Sequence, residues 1–380
     1  MHKQINQLRA DLMAQFPERK DVIDGSLAAV LAGEHVLLIG PPGTAKSVLV
    51  RCIAQLFGGS YFERLLTKFS TPEELFGPIS LQALAQDRFI RITAGKLPEA
   101  EFAFVDEIFK SSSAVLNALL SIINERVFHN DGAPVRCPLV SLFAASNELP
   151  EGKELEALFD RFLLRFDVGY LLVASNLRGV LVGPEPAIAA TLTMDELRRA
   201  QGEVAAVKIT DDTVNALLAI RDACRGEGIT ASDRRWKKAL GIVRASAWLA
   251  GEKKTCPEDL AILVDSLWRE PKERAKVARI VGNLADPASM QSVEILDAAR
   301  EIATKVAGLK AGDRKLYIAQ AAQAVEQFDA QQAKLQELAK SAGRRAKAVI
   351  SDAVAEIQGL HAEVARAVSS GLGLGMRSLR

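Results

Sequence analysis

Gly40-Pro41-Pro42-Gly43-Thr44-Ala45-Lys46-Ser47 connects a short apolar run, His35-Val36-Leu37-Leu38-Ile39, to a segment with apolar residues at helical spacing from Ser47 to Phe57. A glycine-rich turn between a buried strand and a helix lets backbone N–H groups converge on phosphate oxygens, and the helix N-terminus adds a favourable dipole. In that geometry Lys46 contacts the β and γ phosphates of ATP, and Ser47 holds Mg²⁺. Ala45 stands where a glycine normally precedes the lysine, which brings one methyl group close to the phosphates.

Phe102-Ala103-Phe104-Val105-Asp106-Glu107 supplies what such a loop needs next, a buried strand that delivers an acidic pair to the edge of a sheet. Asp106 holds Mg²⁺ through water, and Glu107 orients and polarises the attacking water as a general base. A further apolar run ends in Ala145-Ser146-Asn147-Glu148. Its side-chain amide, Asn147, falls beside the acidic pair and is suited to hold the nucleophilic water.

These residues need a parallel sheet behind them. Three apolar runs end in polar residues: His35 to Ile39, Glu101 to Val105 and Leu139 to Ala145; an amphipathic segment, Ser113 to Glu125, lies between the last two. Strand, helix and strand in this order describe a parallel α/β domain. A lead-in helix occupies residues 1 to about 35, with Val22, Ile23, Leu27, Val30 and Leu31 on one face. Val127 to Gly132, with its Asp131-Gly132 turn, reads as a hairpin. His129 there has no partner at a metal-ligand spacing and reads as a surface residue. After Leu192 only helical patterns follow: Asp212 to Arg225, Asp233 to Ala250 and Pro257 to Trp268. The expected division is a core over residues 1–190, an all-α lid over 191–270 and a helical extension over 271–380. In the extension Ile350, Val354, Ile357, Val364 and Val368 form a seam suited to a helical hairpin or a partner helix, and Ser369 to Gly375 reads as a frayed tail.

Bulk properties narrow the function classes. The chain has 380 residues, enough for two or three domains, with 49% hydrophobic and 25% charged residues and a net charge of +1. That near-neutral balance gives no global field for an anionic polymer, so nucleic acid is not implied. Cys52, Cys137, Cys224 and Cys256 are far apart and form no Cys-x-x-Cys pair, as expected for reduced thiols in a cytoplasmic protein. The most apolar stretch, Phe162 to Gly183, is interrupted by Arg165, Asp167 and Arg178, so no membrane span is expected.

The order phosphate loop, Asp-Glu strand, strand ending in Asn, then Phe159-Asp160-Arg161-Phe162, resembles the AAA+ superfamily, and its details resemble the MoxR branch. Phe69-Ser70-Thr71-Pro72-Glu73-Glu74-Leu75-Phe76-Gly77-Pro78, Leu97-Pro98-Glu99-Ala100 and Ile123-Asn124-Glu125-Arg126 are similar to the regulatory ATPase variant A (RavA) group. So are Ser146-Asn147-Glu148-Leu149-Pro150 and Ser232-Asp233-Arg234-Arg235-Trp236-Lys237-Lys238-Ala239. The similarity runs from Glu18 to Trp268 and fades beyond.

The resemblance implies a homo-oligomeric ring, usually a hexamer, with ATP at the subunit interfaces. It implies that Arg161, with Arg165 as the rival, serves as an arginine finger toward the neighbour's γ-phosphate. Arg234, with Arg235 as the rival, matches the lid arginine that reaches the nucleotide in cis. Gly77 to Gly95 resembles the helix-2 insert of this clade, packed through Leu81, Leu84 and Phe89. A chaperone-like remodeller or maturation factor, working on a protein client with a separate von Willebrand factor A domain partner, is the implied task. A nucleic-acid motor is the alternative from the same clade; it predicts basic pore hairpins, whereas this hairpin offers His129, Asn130 and Asp131.

Overall fold

The computed structural model describes residues 2–184, 192–309 and 314–371. It divides into two compact units, Met1–Val277 and Ala278–Arg380.

The first unit is built on five parallel strands. They are β1 (Val36–Ile39), β2 (Tyr61–Leu65), β3 (Phe102–Asp106), β6 (Ser141–Ser146) and β7 (Leu164–Asp167), in the order β2-β3-β6-β1-β7. The hairpin strands β4 (Val127–Asn130) and β5 (Ala133–Arg136) pair separately and antiparallel. Every residue of β1 and β6 is buried, because a parallel strand in the middle of such a sheet is covered on both faces. Edge strand β2 instead exposes Glu63, Arg64 and Leu65. Strand β7 gives no uniform apolar run, since Arg165 and Asp167 interrupt it; its pairing with β1 reveals it as a strand.

The lead-in is two helices, His2–Gln15 and Lys20–Ala32, and not the single helix that its pattern suggests. The break lies at Pro17-Glu18, where Glu18 adopts φ 60° and proline removes a backbone donor. The glutamate carboxylate accepts the backbone N–H groups of Leu172 and Val173 at 2.8 and 3.0 Å, tying this corner to the start of the helix Ala174–Val182. The stretch expected to form the lid holds the helices Met194–Ala205, Asp211–Gly226, Asp233–Leu249 and Val264–Leu267, the last preceded by the 3₁₀ turn Pro257–Leu263. One continuous apolar core runs from Ile5 and Leu12 through Val36, Phe104 and Phe143 to Ile242 and Trp248, so lead-in, sheet and lid share it. The expected boundary at residues 190 and 191 falls outside the described residues.

The helix-2 insert differs from its expected packing. Leu81, Leu84 and Phe89 are 81%, 48% and 53% exposed. Polar contacts to the hairpin fix the insert instead: Asp131 accepts the Phe89 N–H at 2.8 Å and pairs with Arg88 at 3.0 Å, and Asn130 accepts the Arg91 N–H at 2.8 Å.

The second unit holds three long helices, Pro287–Gly308, Arg314–Ser341 and Arg344–Gly371, and is a bundle where the seam suggested a hairpin. Its core is alanine-rich and closes around Phe328, Leu335, Ile350 and Ile357, two of which belong to the expected seam. The last helix continues through Ser369 to Gly371, which replaces the first residues of the expected frayed tail; the rest of that tail lies outside the described residues. Among the described residues no helix is long and apolar enough to cross a membrane.

His35, at the start of β1, is completely buried. Its Nδ1 accepts the Leu142 N–H at 2.9 Å, and its Nε2 lies 3.1 Å from the Ile123 carbonyl and against the Arg126 guanidinium. Burial first, then the charges of Arg126 and Lys238, hold its pKa well below 6.5. The unfolded chain therefore binds a proton that the folded chain refuses, and stability present above pH 6.5 drains away as the pH falls below it. His35→Gln should remove about 1 kcal/mol of the stability loss between roughly pH 7.5 and pH 5.5, read from denaturant melts. An unchanged pH slope in that variant would show that His35 is not the titrating group.

Candidate active site

The phosphate loop leaves β1 at the carboxyl edge of the sheet, where open α/β folds place their ligands. The Gly40 N–H donates to the Ser146 carbonyl at 3.0 Å, extending the β1–β6 ladder by one step. Gly40 has φ 150°, and a Cβ there would sit 2.2 Å from the Val168 carbonyl oxygen, so no other residue fits. Gly43 turns the chain at φ 77°. Ala45 is also left-handed, at φ 62°, immediately before the helix Lys46–Leu56. For a residue with a Cβ that conformation costs about 1 kcal/mol or more.

Pro41 and Pro42 form the loop's crown, and the Thr44 hydroxyl donates to the Pro41 carbonyl at 3.1 Å. The Lys46 ammonium is buried and donates to the carbonyls of Gly40 and Pro41, both at 2.8 Å. Burial lowers its pKa, against the opposing pull of Asp106 and Glu107. Ser47 follows on the first helical turn, half-buried. Backbone N–H groups, an ammonium, a hydroxyl and the nearby Asp106 carboxylate make up the donor set that a nucleotide triphosphate and Mg²⁺ require.

Strand β3 carries Asp106 to the same edge. Burial raises the Asp106 pKa, while the Glu107 N–H, donated to its Oδ1 at 2.9 Å, lowers it. Glu107 is the second left-handed residue of the site, at φ 53°. Its Oε1 accepts the Asn147 amide at 2.5 Å, so the structure joins the acidic pair to the residue that follows β6. The Asn147 turn is itself held by Ser146, whose hydroxyl donates to the Glu148 carbonyl at 2.8 Å and accepts the Glu148 N–H at 3.1 Å. Lys110 lies 3.2 Å from Glu107 Oε2, an ion pair outside hydrogen-bond geometry. Its three-residue spacing from Glu107 on a tight turn is the sequence signal that marks this lysine.

Arg161 and Arg234 lie together elsewhere, at Asp160 after the helix Lys153–Phe159. Arg234 pairs with Asp160 at 2.9 Å and reaches Asn124 at 3.4 Å, while Arg161 lies 3.9 Å from the same carboxylate. The rivals are buried: Arg165 and Arg235 are 2% and 3% exposed. Arg165 donates to the Trp268 carbonyl at 2.5 Å and stacks over Phe159 at 3.9 Å. Arg235 donates to the carbonyls of Leu163 and Ser266 at 2.9 Å each, and of Phe162 at 3.0 Å. Sequence reasoning passes over Asp160 and also Arg19, which donates to the Gly169 carbonyl at 2.6 Å and acts on the charge of Lys46.

A family model described as the MoxR domain of MoxR-vWA-beta-propeller ternary systems matches residues 3–199, and an AAA lid domain model matches residues 212–281. The uncharacterized protein MJ0812 of Methanocaldococcus jannaschii is 44% identical over 276 residues, covering 72% of this chain and 74% of that protein. Chaperone MoxR1 of Mycobacterium tuberculosis is 30% identical over 153 residues, covering 39% of this chain and 40% of its own. A crystal structure of a candidate ATPase from Cytophaga hutchinsonii superposes with a TM-score of 0.61 at 19% identity, covering 74% of this chain and 93% of that one, a likeness of fold. The family model spans just over half of the chain and fits the sheet, the phosphate loop and the acidic pair, so the protein belongs to the MoxR family of AAA+ ATPases.

Proposed function

We propose that this protein hydrolyses ATP within a ring of identical subunits, a hexamer by the rule of its superfamily, and uses that cycle to remodel or mature a protein client. The observation that carries the reading is the 2.5 Å bond from Asn147 to Glu107, at the sheet edge that also bears the phosphate loop. It holds a carboxylate where a water attacking the γ-phosphate needs its proton removed.

Residues Gly40 to Ser47 hold the phosphates through backbone N–H groups and Lys46, and Ser47 and Asp106 hold Mg²⁺. When bound, Mg²⁺ neutralises charge on the phosphate oxygens. Glu107 takes the proton of the attacking water, and Asn147 fixes both the carboxylate and the water. Lys110 competes for the same carboxylate and draws it away from the water unless the turn relaxes.

Arg161 supplies the positive charge for the neighbour's γ-phosphate. Arg165 is too deeply packed against Trp268 and Phe159 for that task. Because Arg234 bonds to Asp160 and Asn124 beside Arg161, we assign it to the neighbour's phosphates as well, in place of the cis role its motif implies.

The name of the matching family model supports a von Willebrand factor A domain protein as the separate partner. The RavA-like motifs support a position near that group within the family, while the partner class rests on the name of the matching model. The hairpin tip spends Asn130 and Asp131 on the insert, which argues against a nucleic-acid track there. We place the protein in the cytoplasm, in keeping with four cysteines that form no disulfide.

Glu107→Gln should keep ATP binding while hydrolysis falls by about 100-fold or more; wild-type turnover would move the base elsewhere. Arg161→Ala should still assemble on size-exclusion chromatography while its turnover falls by about 1,000-fold; unchanged turnover would remove Arg161 from the mechanism. Purification of the native complex should recover a von Willebrand factor A domain protein, and recovery of nucleic acid without one would replace the remodeller by the motor.

A further inference from the structure

One carboxylate, Asp160, faces four guanidinium groups, and its two oxygens divide them. Oδ2 faces the partly exposed pair: Arg234 at 2.9 Å and Arg161 at 3.9 Å, with the Ser232 hydroxyl at 3.4 Å. Oδ1 faces the buried pair, Arg235 at 3.3 Å and Arg165 at 4.0 Å. The buried pair is anchored independently and in both directions. Arg235, on the lid helix Asp233–Leu249, donates to the core carbonyls of Asp160, Phe162 and Leu163. Arg165, on β7, donates back to the lid carbonyl of Trp268.

The outer pair has little else to hold it. Among the described residues Arg234 adds to Asp160 the longer contact to Asn124, and the Nε of Arg161, like that of Arg165, is buried without a hydrogen-bond partner. Two partly exposed arginines side by side repel, and a shared carboxylate offsets that repulsion while fixing their direction. Burial alone would raise the Asp160 pKa, and the surrounding arginines outweigh it and keep the carboxyl ionised.

We propose that Asp160 is a positioning residue that sets Arg161 and Arg234 together for the neighbouring subunit's γ-phosphate, by tying them to the buried arginines that clasp core to lid. The proposal rests on the intersubunit reading above. Its consequence is mechanical. Any change in the angle between core and lid shifts the carbonyls that hold Arg235 and Arg165, and Asp160 passes that shift to the two arginines that face outward.

The test uses the full chain and ATP itself. Asp160→Asn keeps the shape and one acceptor but loses the charge. It should bind a fluorescent ATP analogue within threefold of wild type and keep its KM, while kcat falls at least tenfold. Where that variant does not fold, Asp160→Glu carries the same test, because it keeps the negative charge among the arginines while moving the carboxylate that sets their direction. Mixed with Lys46→Ala protein, whose own phosphate site is disabled, the Asp160 variant should regain turnover, since mixed interfaces join its intact phosphate loop to undamaged arginines. Arg161→Ala mixed in the same way should do likewise.

Wild-type kcat in the Asp160 variants overturns the proposal. So does a mixture that stays inactive with Asp160→Asn while the Arg161→Ala mixture recovers, because the defect then lies in cis. Full activity of Arg161→Ala by itself overturns the intersubunit reading and the proposal with it.

Discussion

A strand covered on both faces cannot carry polar chemistry along its length, because an unpaired polar side chain there costs several kcal/mol, about 2 or more. Strands β1 and β6 are buried at every residue, and β3 at all but its last. Their reactive groups are therefore displaced to the carboxyl ends. The parallel register brings those ends level: Ile39 pairs with Ser146, and Val105 pairs with Ala144. Gly40, Asp106, Glu107 and Asn147 follow within a residue or two of these pairs, so one row of strand ends assembles the site.

The same edge stores conformational strain. Ala45 and Glu107 both adopt left-handed backbone angles that favour glycine, and residues of this kind persist only where their surroundings over-determine them. For Glu107 the surroundings are visible: the Asp106 carboxylate receives its N–H, Asn147 binds one oxygen and Lys110 stands by the other. For Ala45 the fixed points are the Gly40 ladder bond before the loop and the buried helix after it.

Lead-in, sheet and lid share one apolar core, and the arginine cluster at Asp160 is its polar counterpart on the seam between β7 and the lid. Burying a guanidinium is costly unless most of its donors find partners. Arg235 meets this with carbonyls from both sides of the seam, which leaves Asp160 one oxygen for the outward-facing arginines. The helix-2 insert follows the opposite logic: its apolar residues stay exposed, and hydrogen bonds from Asn130 and Asp131 fix its position.

Local pattern alone determined the phosphate loop, the acidic pair, the strand ending in Asn147, the hairpin and the helical lid. Each depends on neighbours in sequence: a glycine turn after an apolar run, an acidic step at the end of another, a period that changes from strand to helix. Tertiary structure decided what depends on distant partners. Strand β7 exists as a strand through its pairing with β1, since Arg165 and Asp167 break its apolar pattern. The lead-in breaks at Pro17-Glu18, where the proline is legible in the sequence but the partners of the Glu18 carboxylate lie about 150 positions away. Among the described residues the extension holds a short helix, Arg274–Ala285, and three long ones, since the alanine-rich core that joins the long helices gives no sharp apolar stripe to count. Above all, Arg161 and Arg165, like Arg234 and Arg235, are identical to a reader of sequence. Only burial separates them: Arg165 and Arg235 are packed inside the protein against the carbonyls of Trp268, Leu163 and Ser266, while Arg161 and Arg234 stay partly exposed.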